Sequence, residues 1–238
     1  MSAQPAFGRR GLLATALARA EAWLLDPPDE AAETAVELRP RPVVAVFGLA
    51  ESCGATVTAR ALAAELAERD PGGAAAVAGA ARAAALPLGS GPANRLARML
   101  APLSAALVQP VGRLCLVDAG DPGRLADAFR YLAPLVIDAG RTEIGGVAAA
   151  LADHVVLVAA PFTEPALAAV ARASLGREGS RPLVAVNRAR GATPVGWADV
   201  SLPESRMGAQ FALAGRGARA ELGRAVAQLA DLCEEARA

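Results

Sequence analysis

The chain contains no lysine; all 24 of its basic residues are arginine. It has one histidine, three cysteines and 3% aromatic residues. Each shortage closes off a class of chemistry. Cys53, Cys115 and Cys233 are scattered without C-x-x-C spacing, which argues against a zinc site or a disulfide framework and suits a reducing compartment. His154 stands just before an apolar run and reads as structural, so no histidine-based catalytic cluster is in view. Acidic and basic residues balance at 24 each, so no global field draws the chain to nucleic acid or to an anionic membrane. No uninterrupted apolar run is long enough to span a bilayer.

What is present is alanine, valine and leucine. Hydrophobic residues make up 54% of 238 positions, enough to bury a sizeable core. Short apolar runs at Ala74–Gly79, Leu114–Val117, Leu135–Ile137, Val155–Ala159 and Leu183–Val186 read as strands. Between them, Ala93–Leu107, Leu125–Leu132 and Ala166–Leu175 read as helices, and Ala218–Ala236 as the last one. Leu86–Gly91 and Leu202-Pro203-Glu204 read as loops. Strands alternating with helices, without sustained hairpin signals, predict a three-layer α/β/α fold around a mostly parallel central sheet.

Residues 1–41 stand apart from this pattern. Phe7–Leu25 carries Leu12, Leu13, Leu17, Trp23 and Leu24 and predicts an amphipathic helix, although a signal peptide interrupted by Arg19 and Glu21 is the alternative. Such a helix packs on the domain or a partner, or rests on a membrane surface. Asp26–Pro42 is punctuated by prolines and reads as a linker. The domain proper is expected over 42–238.

The organising stretch is Arg41–Leu66. Val43, Val44, Val46 and Phe47 predict a buried parallel strand, a loop begins at Gly48, and a helix opens near Gly54 with Leu62 and Leu66 at helical spacing. Strand, loop and helix form the frame of a phosphate-binding P-loop, where backbone N–H groups and the helix dipole hold an anion. The pattern G-x-x-x-x-G-K-[ST] is incomplete: Gly54 and Thr56 are in place, but Ala55 stands where the lysine belongs. Leu49 takes the first glycine's position, with Gly48 one residue early.

In a parallel sheet, ligands bind beyond the carboxyl ends of the strands. Asp138, closing Leu135-Val136-Ile137, stands where a Walker B carboxylate would, and with Thr56 it would position Mg²⁺. A turn-forming or capping aspartate before Gly140 is the plainer alternative. Asp118 ranks second, because Gly120-Asp121-Pro122-Gly123 looks like loop chemistry. Asn187-Arg188, closing a late strand, could read a base edge or simply end that strand in a turn.

These segments together resemble the deviant-Walker P-loop ATPases of the ParA/MinD type. The resemblance rests on VAVFGLAESCGATVTARALAAELA, PLVIDAG, ALADHVVLVAAPFTEPALAAVARA, LVAVNRAR and SLPES, in that order. It implies a loop of the form KGG-x-GKTT over Ala50, Glu51, Ser52, Cys53, Gly54, Ala55, Thr56 and Val57, so both lysines and both middle glycines are replaced. The strand-two aspartate of that family has no clear counterpart in Ala74–Gly79. The Gly54-Ala55-Thr56 loop is most similar to the TadZ/CpaE pilus-assembly localisation branch, although an N-terminal receiver-like domain is not evident.

The resemblance implies nucleotide contacts at Gly48, Ser52, Cys53, Gly54, Ala55, Thr56, Val57, Asn187 and Arg188, a metal at Thr56 and Asp138, and no catalytic residues. Both cations are gone and Glu51 adds a repulsive charge, so hydrolysis is expected to be lost. The expected function is a pseudo-ATPase serving as an interaction or positioning module in pilus or secretion-system assembly. The alternative is a weak Mg-ATP-binding switch, with Arg60, Arg141 or Arg188 supplying charge; a different enzyme on the same superfold is the third reading. Cofactor is expected to be weak Mg-ATP or none. Partners are expected to be proteins, including a homodimer across the P-loop face, with no nucleic acid. The site of action is expected to be cytoplasmic, with peripheral membrane contact confined to residues 7–25.

Overall fold

A computed structural model describes residues 40–79, 94–100, 108–117, 122–140, 145–177, 180–189 and 196–235. The expected helix Phe7–Leu25, most of the linker, the loop Leu86–Gly91, Asp118 and Arg141 lie outside the described residues. Eight strands form one sheet in the order β3-β4-β2-β5-β1-β6-β7-β8. They are β1 (Val43–Gly48), β2 (Ala75–Gly79), β3 (Val108–Val111), β4 (Leu114–Val117), β5 (Leu135–Gly140), β6 (His154–Ala159), β7 (Leu183–Ala189) and β8 (Val200–Pro203). All neighbouring pairs are parallel except β3 with β4. The expected three-layer α/β/α architecture is the one observed.

β1 lies at the centre because it is apolar on both faces. Its side chains alternate: Val44 and Val46 enter one core, and Val43, Ala45 and Phe47 enter the other. Over the first face lie α1 (Ala55–Arg69), α6 (Arg206–Leu213) and α7 (Ala220–Glu235). Over the second lie α2 (Arg95–Leu100), α3 (Pro122–Phe129), α4 (Gly145–Leu151) and α5 (Pro165–Leu175). With few aromatics, both cores are filled by small aliphatic side chains, and Phe47 and Phe129 are the large rings buried in the second.

α7 buries Leu222, Val226, Leu229, Ala230 and Cys233, the stripe that its sequence spacing predicts. Arg69, in the last turn of α1, ties the two helices together. Its guanidinium donates to Glu65, to Asp231 at 2.7 Å, to Glu234 at 2.8 Å and to the Ala227 carbonyl at 3.0 Å.

Four elements depart from the sequence reading, one of them α4, since no helix was expected between Gly140 and Val155. β3 and β4 form an antiparallel hairpin at the sheet edge, where only β4 was expected. Leu202-Pro203 belongs to strand β8 rather than to a loop, and the proline is tolerated because β8 is the outermost strand. α6 was not anticipated; Ser205 caps it by accepting the Gly208 N–H at 2.9 Å. No helix among the described residues is long and apolar enough to cross a membrane.

Candidate functional site

Parallel pairing brings the carboxyl ends of β1, β2, β5, β6 and β7 to one edge of the sheet. Val46 of β1 pairs with Asp138 of β5, and Gly79 of β2 pairs with the same residue from the other side. At that edge β1 ends at Gly48, and residues 49–54 turn the chain into α1. The Leu49 N–H donates to the Val158 carbonyl at 2.9 Å, which anchors the loop to β6. Ser52 (φ +54°) and Gly54 (φ +91°) both adopt left-handed conformations. For Ser52 this conformation is uncommon, and such residues gather at ligand sites.

Gly54 could be nothing else. A Cβ there would stand 2.0 Å from Asn187 Nδ2, and its φ disfavours any L side chain. Asn187 donates that same amide to the Cys53 carbonyl at 2.8 Å. Its NH₂ group therefore braces the loop, where the sequence suggested a reader of a base edge. Arg188 follows with φ +58° at a register shift between β7 and β8, so a bulge aims this exposed side chain off the strand.

The remaining loop residues divide by exposure. Glu51 and Ser52 are exposed, Cys53 is buried, and Ala55, Thr56 and Val57 are half-buried in the first turn of α1. The Cys53 N–H is turned back to the Ala50 carbonyl in a long 3.4 Å bond. One amide that could face an anion is thus engaged within the loop. A cavity of about 330 Å³ opens beside it, with Gly54, Val57 and Thr58 on one wall and Asn187, Arg188 and residues 203–206 on the other. Its volume falls in the range of small-molecule sites. Thr58 Oγ1 is buried and has no hydrogen-bond partner among the described residues.

Beneath the loop, the Thr56 hydroxyl stands near enough to Asp138 to favour its charged form, so the two residues named as metal ligands are neighbours. Asp138 is 1% exposed and its Oδ2 has no hydrogen-bond partner among the described residues. Burial pushes its carboxyl above the usual carboxylate range. The Thr56 hydroxyl, the Gly140 N–H and the charge of Arg60 pull it back. Gly79 (φ +112°) packs on this aspartate so closely that a Cβ would meet its carbonyl oxygen at 2.1 Å.

Arg60 is the residue that sequence reasoning undervalued. It is 2% exposed and donates from Nη1 to the Leu213 carbonyl at 3.1 Å, at the end of α6. Burial lowers its guanidinium's proton affinity, and Asp138 raises it again. The sequence offered Arg60 as one of three candidate charges for a nucleotide, and nothing local signals its burial. His154 is buried at the start of β6, at the opposite sheet edge from the loop.

The site can be tested for fit to a divalent ion. The buried Oδ2 of Asp138 invites a cation, but the charge of Arg60 already bears on that carboxylate. No group of three or more histidine, cysteine, aspartate or glutamate side chains among the described residues could hold a metal. The residues present fit a divalent ion poorly. For an anion they offer the start of a fifteen-residue helix and its preceding loop, without a side-chain cation at positions 50 or 55.

No protein-family model and no curated protein matches the chain. Among solved structures, a ParA family ATPase from Chlorobium tepidum is similar with a TM-score of 0.54 and 15% identity, covering 80% of this chain and 98% of that one. A nucleotide-binding protein from Archaeoglobus fulgidus in complex with ADP has a TM-score of 0.47 and 15% identity over 74% of this chain and 86% of its own. The kinase domain of the Escherichia coli tyrosine kinase ETK follows at 0.39 and 15%, over 77% and 80%. The likeness is one of fold, and that fold is the mostly parallel α/β architecture of a ParA-type P-loop protein.

Proposed function

We propose that this chain is a ParA/MinD-like pseudo-ATPase that has lost hydrolysis and serves as a protein-interaction or positioning module. The observation that carries the reading is the loop itself. A left-handed Gly54, a helix start and the Thr56–Asp138 pair are retained, while both cation positions hold alanine and Glu51 is exposed at the tip. Phosphoryl transfer depends on neutralising charge as it develops. Losing one such donor typically costs about 10²–10³ in rate, and here two are absent.

An interaction role is supported by apolar side chains left open after β6 and on α5: Phe162 is 83% exposed and Val170 is 63% exposed. The partners are proteins, a second copy across the P-loop face among them. The setting is pilus or secretion-system assembly, on the similarity of the Gly54-Ala55-Thr56 loop. A second reading, a weak ATP-binding switch, is favoured by the cavity between Gly54 and Asn187. Its contacts would come from Gly48, Ser52, Cys53, Gly54, Ala55, Thr56, Val57, Asn187 and Arg188.

Steady-state phosphate release with Mg-ATP is the test. The expected result is release no faster than in buffer. Turnover by the unaltered protein that disappears in Thr56→Ala would contradict the reading.

A further inference from the structure

The outer face of α5 carries no charge. Ala166, Leu167, Ala169, Val170, Ala173 and Ser174 are all exposed. Arg172, the one charged residue between Pro165 and Leu175, is tied to Asp199 and to the Pro182 carbonyl. A surface helix normally turns charged or polar side chains outward. This face has instead the charge-depleted composition of an interface core.

The two ends of the helix differ. Before it, Phe162 is 83% exposed on a turn that Thr163 closes. The Thr163 N–H donates to the Ala160 carbonyl at 3.0 Å, and its hydroxyl accepts the Ala160 N–H at 2.9 Å. Glu164, exposed, follows directly. Beside the other end lies a cavity of about 800 Å³, lined by Arg172, Ala173, Arg177, Arg181, Pro182 and Trp197 among others. Its arginines are held in place. Arg177 donates to the Ala149 and Ala150 carbonyls at 3.3 and 2.6 Å. Asp199 accepts from Arg172, from Arg181 at 3.3 Å and from the Val184 N–H at 2.6 Å. Arg181 still leaves 70% of its side chain in solvent.

These ends complement each other. Val170 lies midway between Glu164 and Arg177, about 10 Å from each at 1.5 Å per residue. When two copies of α5 pack antiparallel about a twofold axis at Val170, Glu164 of each falls opposite the partner's Arg177. The helix dipoles then also oppose favourably. Phe162 of each reaches the end of the partner's helix, where the cavity lies. A contact in which each surface serves as both knob and hole is what a twofold dimer requires.

We propose that the chain pairs with a second copy of itself along α5, with Phe162 of each copy entering the other's cavity beside Trp197. An aromatic anchor in a preformed pocket is the usual carrier of interface energy, and the neighbouring guanidinium groups add to it. The seam is one helix and one ring, so association is weak, with a Kd on the order of 10–100 µM, and dilute protein is monomeric. The surface is separate from the loop, and the inference holds whether or not a nucleotide binds there.

Light scattering of the full chain across concentration tests this. The mass should rise toward that of two chains above about 0.1 mM. Phe162→Ala and Val170→Asp should each hold it at one chain, with the melting of dilute protein unchanged, because both side chains lie in solvent. The three native cysteines are buried, so Val170→Cys offers a single surface thiol, which meets its own copy on the axis. Under mild oxidation it should form a disulfide-linked dimer about tenfold faster than Met207→Cys, an exposed site on α6. A chain still monomeric at about 0.5 mM would overturn the proposal and leave the face to another occupant. A dimer that survives both substitutions would place the contact elsewhere, the loop face included, and would overturn it too. Equal cross-linking from positions 170 and 207 would do the same.

Discussion

α1 and α5 follow the same plan and meet opposite environments. Each begins where a central parallel strand ends, α1 after β1 and α5 after β6, and each is rich in alanine. α1 buries nine of its residues, Arg60 among them, between the sheet, α6 and α7. α5 buries Ala168 and leaves Leu167 and Val170 exposed. The difference assigns the two halves of the molecule different tasks. The α1 side is locked by packing and can hold a loop in a strained shape. The α5 side leaves apolar side chains in contact with solvent.

That contrast can be broken by truncation. Leu62→Ala in α1 removes a fully buried side chain from a crowded interior and should cost about 2–5 kcal/mol of unfolding free energy. Leu167→Ala in α5 should stay within about 0.5 kcal/mol, as for surface sites without special contacts. Chemical denaturation of the two variants measures both. Equal losses would mean that α5 is packed in solution and that the contrast is wrong.

Thiol chemistry sharpens the same comparison, because all three cysteines are buried. Burial pushes the Cys115 thiol up to about 11 and the Cys233 thiol, on the buried face of α7, up to about 12. A thiol whose pKa is raised by folding contributes stability below its unfolded value near 9, and that contribution is lost as pH rises through the folded value. Ellman's reagent should therefore find no reactive thiol in the folded protein at neutral pH, and melting temperature should fall above about pH 9. Prompt labelling of Cys233 would show that α7 opens readily.

Much of this architecture was legible in the sequence. β1, β5, β6 and β7 announce themselves as apolar runs because both faces of a central parallel strand are covered. The stripe on α7 follows from helical spacing against one core. β3 was not legible: Val-Gln-Pro-Val is an edge strand with half-exposed side chains, a proline and no alternation. The two-residue turn Gly112-Arg113 was the available hairpin signal. α6 is only eight residues long and contains a glycine, which leaves little sequence in which to see a helical repeat.

Within the site, the closeness of Thr56 to Asp138 follows from motif spacing, since a strand-end carboxylate beside the loop's hydroxyl is what parallel pairing delivers. The bracing role of Asn187 does not follow, because it depends on which way one amide turns. The cavity wall from Pro203 to Arg206 also escaped notice, because SLPES carries no chemistry of its own until β8 places it. The burial of Arg60 is a tertiary fact: it needs the end of α6 against it.

If the loop keeps the shape of a phosphate cradle and lacks its cations, restoring a cation should restore affinity. Calorimetric titration of ATP into the double variant Glu51→Gly, Ala55→Lys measures this most directly. A charge-assisted hydrogen bond contributes roughly 1.5–3 kcal/mol, so the account predicts affinity roughly ten- to a hundredfold above that of the unaltered chain. A folded double variant with no gain in affinity would contradict it, because a lysine restored to a true cradle must reach the phosphates.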